Sequence, residues 1–255
     1  MLTKALQNDM LTFLKGQEGK YGMTLIVGMK AIDAIILGAD SRGTIGDPRG
    51  LTAINDTYQK LFPLGCCGIG VAGASEMGSV LLDELQKRNV GDNSNNIDDA
   101  ITQVRQHSAQ CFTEWFGSIQ PAQRPGVLLT LAGYRFPSGQ KPAPMIYLLN
   151  SQANFAPQLF GHIPCMSGIP QYAVYLVHRY YDPSISAAQA KSLTEYLIAE
   201  TASQDPKVGG AIHMAEITPT DGYRELTTEE VATIHQSNED LNQRLRRFFL
   251  EGGAK

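Results

Sequence analysis

Met23-Thr-Leu-Ile-Val-Gly-Met-Lys-Ala-Ile-Asp-Ala-Ile-Ile-Leu-Gly-Ala-Asp40 is the stretch that decides the fold. It holds two apolar, β-branched runs, Leu25 to Met29 and Ala34 to Leu37, separated by a short polar piece around Lys30 and Asp33. β-branched side chains are restricted at χ1 and suit a pleated, half-buried surface. Gly28 and Gly38 would weaken one helix drawn through the whole stretch, and the break falls at hairpin spacing. Two paired strands result.

Outward from this hairpin, a Gly/Pro/Asp-rich loop runs from Gly43 to Gly50, followed by short strands at Tyr58 to Leu64 and Cys67 to Ala72. After Gly73 the periodicity changes to helix, with Ser75 as N-cap and Val80, Leu81 and Leu85 on one face. A longer helix spans Asp98 to Phe116 with the stripe Ile101, Val104, Cys111 and Phe112. Strand patterns return at Val127 to Tyr134, Met145 to Leu149 and Phe155 to Ile163. One helix then carries Val174, Val177 and His178 on a shared face, and another runs from Ser186 to Ala202. A strand at Ala211 to Ile217 and a turn at Asp221–Gly222 precede a last helix, opened by the capping box of Thr227 and Glu230. This order has no regular βαβ alternation and no solenoid repeat. It predicts an α+β fold, a four-layer αββα sandwich of two antiparallel sheets packed face to face between helices.

The 255 residues are ample for a buried core, and 43% apolar against 18% charged excludes a disordered chain. Lys and Arg are scattered, and the one tight basic run, Arg244 with Arg246 and Arg247, reads as a solvated helix face, so no nucleic-acid partner is expected. No apolar run reaches the roughly 18 residues that span a bilayer, and the first residues lack an h-region and an A-x-A site. No membrane partner and a cytoplasmic location are the expectation. Leu2, Leu6, Met10, Phe13 and Leu14 follow helical spacing, predicting a short amphipathic helix that ends near Gly16. Residues 1–23 therefore read as an N-terminal extension, either a propeptide or a mis-assigned start, ahead of a single domain at 24–255.

No cofactor and no metal are expected. Cys66, Cys67, Cys111 and Cys165 lack a C-x-x-C pair and a His at ligand spacing; Cys66 and Cys67 would point to opposite sides of a strand, so reduced and mostly buried thiols are expected. His107, His162, His178, His213 and His235 do not cluster, and there is no G-x-S-x-G elbow. Gly68 to Gly73 matches G-x-G-x-x-G, but it lies inside an apolar strand-like run with no surrounding βαβ unit.

Taken singly, the polar residues have ordinary readings. Thr24 is a strand packing residue, Asp40 and Arg42 a strand-end ion pair, Lys60 a surface charge, Ser167 a helix N-cap and Asp205 a turn residue before Pro206. Their order tells more. Thr24-Leu-Ile-Val-Gly28, then Ala39-Asp40-Ser41-Arg42, Lys60-Leu61-Phe62, Val71-Ala72-Gly73, Ser167-Gly168-Ile169-Pro170 and Gln204-Asp205-Pro206-Lys207-Val208-Gly209-Gly210 follow one another. This set resembles the proteasome β subunits, which are N-terminal-nucleophile (Ntn) hydrolases, and in particular the bacterial proteasome-type proteases.

The resemblance implies a threonine peptidase with Thr24 as nucleophile, Asp40 and Lys60 beside it, Ser167 and Asp205 orienting its amine, and the Gly73 N–H meeting an oxyanion. It also implies Gly43, Tyr58, Val71 and Ser75 around the substrate pocket, a self-compartmentalising homo-oligomeric ring, an ATPase unfoldase and peptide or unfolded-protein substrates. The chemistry is coherent: a threonine that begins its chain has an α-amine with an ordinary pKa of about 7.7–8.0, able to take its own hydroxyl proton. Two departures stand out. Val208 replaces the family's serine, and Met23 rather than glycine precedes Thr24, so a free amine requires self-cleavage after Met23 or translation starting at Met23. A catalytically silent structural subunit and an Ntn amidase for a small amide remain the alternatives.

Overall fold

The hairpin forms as β1 (Leu25–Lys30) and β2 (Ile35–Asp40), and it sits in the middle of a five-stranded antiparallel sheet ordered β10-β1-β2-β11-β12. In this computed structural model, which describes residues 24–46, 52–92, 94–120 and 123–252, the outer members are β10 (Cys165–Gly168), β11 (Ile212–Thr218) and β12 (Gly222–Glu225). The extension to residue 23, with its expected helix, lies outside the described residues. A second antiparallel sheet follows chain order: β5 (Leu61–Leu64), β6 (Cys67–Gly73), β7 (Val127–Arg135), β8 (Ala143–Asn150) and β9 (Ala156–Phe160).

Side-chain alternation in these strands builds the layers. Ile26, Ile35 and Leu37 face the second sheet and meet Leu61, Leu128, Ile146 and Leu148 in a core between the sheets. Leu25, Val27, Met29 and Ile36 point the other way, onto α3 (Gln171–Tyr180) and α4 (Ala187–Gln204). On the far side of the molecule, Ile69, Leu129 and Leu131 pack under α1 (Ser75–Lys87) and α2 (Ile97–Phe116). Three cores separate four layers: the αββα sandwich. The sheets approach so closely at Gly68 and Gly70 that an added Cβ would lie 2.9 Å from Leu37 and 3.0 Å from Ile26. Those two glycines of the G-x-G-x-x-G stretch thus serve sheet packing.

Several elements differ from the sequence reading, each for a local reason. The loop expected from Gly43 begins with a strand, β3 (Gly43–Gly46), paired with β4 (Thr52–Asn55) in a two-stranded ribbon. Strand β5 starts at Leu61 because Tyr58, Gln59 and Lys60 lie outside the sheet and line a cavity. Helix α1 takes Ala74 as its N-cap without a side-chain bond, and Val80 is exposed while Leu81, Leu82 and Leu85 carry the buried face. Phe155 lies ahead of β9, in a turn where it and Asn154 have positive φ; its ring is fully buried against Phe112, which holds the turn. Cys66 and Cys67 do not diverge: Cys66 sits in the β5–β6 turn, and the two sulfurs lie 3.8 Å apart as free thiols.

The last helix, α5 (Thr228–Leu250), begins at the expected capping box of Thr227 and Glu230. It is latched to α4 through Glu195, a fully buried carboxylate that His235 Nδ1 meets at 2.6 Å and Asn238 also bonds. Removing the imidazole leaves that carboxylate with one partner fewer, a deficit of about 1–3 kcal/mol. His235→Ala is therefore expected to lower the melting temperature, by about 2–4 °C for each kcal/mol lost in a chain of this size; differential scanning calorimetry against the parent chain reads it.

Candidate active site

Thr24 is the residue just before β1, at the end of an interior strand, and its carbonyl is fixed by the Ile169 N–H at 2.8 Å. Gly168 has to be glycine for that approach, with φ at +97° and the position of a Cβ only 1.9 Å from the Thr24 carbonyl oxygen. The Thr24 hydroxyl is buried and donates to Asp40 Oδ1 at 2.5 Å. Lys60, just before β5 and only 6% exposed, donates to the Thr24 hydroxyl, to Asp40 Oδ1 at 2.8 Å and to the Arg42 carbonyl at 2.7 Å. Hydroxyl, carboxylate and ammonium thus form a buried triangle contributed by the ends of β1 and β2 and the start of β5.

Asp40 is itself over-determined. Leu25 N–H donates to Oδ1 at 3.0 Å, while Arg42 N–H and Gly209 N–H donate to Oδ2 at 3.2 and 3.0 Å. Three main-chain donors and an ammonium therefore converge on its two oxygens in a fully buried position. Burial pushes the Lys60 ammonium below its ordinary range, and the Asp40 carboxylate opposes that shift. The 205–209 turn is brought here by Arg42, which donates to the Pro206 carbonyl and pairs with Asp56 at 2.7 Å.

Beside the hydroxyl lies a narrow cavity of about 30 Å³, lined by Gly43, Tyr58, Val71, Gly73 and Leu82 among others. The Tyr58 ring lies over Gly43, where an added Cβ would come within 2.2 Å of it. Gly73 ends β6 with φ at +105°, and a Cβ there would lie 2.2 Å from the Gly126 carbonyl oxygen. Among the described residues no group of three or more His, Cys, Asp or Glu is arranged to hold a metal ion.

No family model and no curated protein matches the sequence. Solved structures do. The Anbu complex of Pseudomonas aeruginosa, described as a helical assembly, is 18% identical over 88% of this chain and 96% of its own, with a TM-score of 0.68. Anbu (ancestral beta-subunit) from Yersinia bercovieri is 16% identical, covering 91% of this chain and 99% of its own, also at 0.68. Anbu from Hyphomicrobium sp. strain MC1 is 14% identical over 87% and 96%, at 0.64. The fold is that of the Anbu structures.

This corrects the assignment drawn from the motifs. The neighbours are Anbu proteins, so the identification as a bacterial proteasome-type β subunit is withdrawn. The physical reason lies in what the motifs encode. Ala39-Asp40-Ser41-Arg42 ends a central strand, Gly168 admits the Thr24 carbonyl and Gly209 presents an N–H to Asp40. These are requirements of the architecture and do not distinguish among chains that share it.

Of the residues named from sequence, Thr24, Asp40 and Lys60 converge, and Gly43, Tyr58, Val71 and Gly73 line the adjoining cavity. Ser167 is fully buried between the sheets and shares a hydrogen bond of 3.0 Å with Thr130. The Asp205 carboxylate accepts from Lys207 N–H at 2.9 Å. Among the described residues neither Ser167 nor Asp205 bonds to Thr24. Ser75 opens α1, and the described lining from that helix comes from Ser79 and Leu82, one and two turns further on. Val208, in place of a serine, is fully buried in the core beneath α4. Sequence reasoning missed Thr130, an inward-facing polar residue in an apolar strand, a pattern that by itself flags a buried hydrogen bond. It also missed the Gly209 N–H, because a main-chain donor leaves no mark in side-chain spacing.

Proposed function

We propose that this chain is a hydrolase of peptide bonds, with the Thr24 hydroxyl as nucleophile once Thr24 carries a free α-amine. One observation supports the reading above the rest: Thr24 Oγ1 lies in hydrogen-bond contact with both Asp40 and Lys60, in a buried position beside a cavity. A structural threonine needs neither partner.

In the proposed reaction the Thr24 amine takes the hydroxyl proton, and Oγ1 attacks the substrate carbonyl carbon. The Lys60 ammonium favours the developing alkoxide, and Asp40 holds the lysine in place and balances its charge. The Gly73 N–H stabilises the oxyanion, a donor of a kind worth about 2.7–4 kcal/mol. Collapse of the tetrahedral intermediate expels the leaving amine with the proton carried by the α-amine, leaving an ester at Thr24 that water hydrolyses. Ser167 and Asp205 orient the amine in this scheme. Residues 1–23 would be an extension that must end before Thr24, followed by one catalytic domain. The cavity admits a side chain only if Tyr58 or Leu82 moves, so small apolar P1 residues are favoured. We further propose that copies of the chain associate, as the Pseudomonas neighbour's helical assembly does, and that an ATPase delivers unfolded chains.

The test is covalent trapping. An α′,β′-epoxyketone peptide needs both the threonine hydroxyl and its amine to form a morpholine ring. Intact mass spectrometry of a chain starting at Thr24 is expected to show one adduct, absent from Thr24→Ala. If the chain starting at Thr24 stays unlabelled, the reading of Thr24 as nucleophile falls and a silent, structural protein takes its place.

A further inference from the structure

Neighbouring side chains on a strand point to opposite faces, yet the Cys66 and Cys67 sulfurs lie 3.8 Å apart. The turn is the reason. Leu64 and Cys67 are the last register pair of the β5–β6 hairpin, so Cys66 stands outside the ladder and its side chain escapes the alternation. Cys67 is fully buried in the core beneath α1 and α2, and Cys66 is half-buried at the edge of that core. Glycines on two other strands make the room. A Cβ at Gly133 of β7 would lie 2.5 Å from Cys67 Sγ, and one at Gly222 of β12 would lie 3.1 Å from the Cys66 Cα.

One sulfur can be reached from solvent and the other cannot. Burial pushes the Cys67 thiol above its ordinary range, which leaves Cys66 as the sulfur that a reagent meets first. Cys67 needs no access of its own, because its neighbour's sulfur is already in contact. We propose that Cys66 and Cys67 are an oxidisable pair, which hydrogen peroxide closes to a reversible disulfide. Cys66 Sγ attacks one peroxide oxygen, the O–O bond breaks, and water leaves with the thiol proton, giving a sulfenic acid. Cys67 Sγ then attacks that sulfur, the S–O bond breaks, and a second water carries off the Cys67 proton. The two thiols lose two electrons and two protons, and the peroxide becomes two waters. The bridge joins Cα atoms about 3.8 Å apart across one trans peptide, below the roughly 4.4–6.8 Å of ordinary disulfides. It is therefore strained, and strained bridges are the readily reduced ones. The Cys66 N–H meets the Ser94 carbonyl at a long 3.4 Å, so the turn is loosely enough held to take up the ring. The pair acts independently of any chemistry at Thr24.

Intact mass spectrometry of the reduced full chain after treatment with hydrogen peroxide tests it. The parent is expected to lose the mass of two hydrogen atoms, and Cys66 and Cys67 to lose alkylation by iodoacetamide together. Dithiothreitol is expected to restore both without denaturant. In Cys67→Ala the reaction stops at the Cys66 sulfenic acid, which a 1,3-dione probe captures, whereas the parent takes up no dione. Cys66→Ser, in the turn, leaves the core untouched and forms no bridge, so the loss is read there even if Cys67→Ala fails to fold. Oxygen retained on Cys66 in the parent, alkylation lost at Cys66 alone, or a disulfide between two chains would overturn the proposal. So would a bridge that dithiothreitol opens only in denaturant.

Discussion

A chain beginning at Thr24 is expected to hydrolyse peptide amides, and the chain carrying residues 1–23 to be inert by comparison, with a gap of about 10²–10⁴ in kcat/KM. The gap follows from what nitrogen becomes when acylated. As an α-amine it titrates at about 7.7–8.0 and takes a proton near neutral pH. As the Met23–Thr24 amide it has no basicity at all. A positioned general base contributes about 10²–10⁴ to rate, and here that whole contribution switches with one peptide bond. The hydroxyl side of the constellation is already in place without it, because Asp40 and Lys60 hold Oγ1 in the full-length fold. Activity should rise with pH as the amine loses its proton, and selective acetylation of the Thr24 amine should abolish it. Assay of the two chains on a fluorogenic peptide panel, with N-terminal sequencing of each, gives the comparison. Equal activity with residues 1–23 demonstrably intact would refute an amine base.

Much of this architecture was legible in the residues, for reasons the layers make plain. β1 and β2 are buried on both faces, so they read as continuous apolar runs interrupted only by glycines, and hairpin spacing set their pairing. The capping box at Thr227 and the stripe of α2 are local codes that survive tertiary packing. What stayed hidden depends on contacts distant in sequence. The β3–β4 ribbon has a Gly- and Pro-rich composition that reads as loop, and β12 is four residues long with only half-buried or exposed side chains. The meeting of Thr24, Asp40 and Lys60 could be anticipated because it involves side chains at fixed motif positions. The Gly209 N–H could not, since any residue has one. The narrower family assignment failed for the converse reason: glycines and strand-end residues that the fold itself demands carry no information about which branch of the fold is at hand.

Asp40→Asn is expected to remove both activity and stability, and a paired substitution separates the two. The carboxylate receives Thr24 Oγ1, Leu25 N–H and Lys60 Nζ on one oxygen, and the N–H groups of Arg42 and Gly209 on the other. An amide offers one acceptor oxygen and one NH₂. Either way it is turned, its NH₂ faces at least two donors, and Lys60 loses its counter-charge while buried. Breaking one side of a buried ion pair costs about 3–5 kcal/mol, which for a chain of this size lowers the melting temperature by roughly 10 °C. Burial already depresses the Lys60 pKa, and without Asp40 the lysine moves further toward its neutral form, so the alkoxide loses its cation as well. The expected loss in kcat is about 10²–10⁴. Replacing both members, Asp40→Leu with Lys60→Met, removes the two charges together, and such exchanges of buried pairs are often neutral in stability. The double variant should therefore regain much of the melting temperature lost in Asp40→Asn and none of the activity. If it regained activity, or if Asp40→Asn kept turnover near that of the parent while melting lower, the pair would be a prop for the strand ends and Thr24 would owe its reactivity to something else.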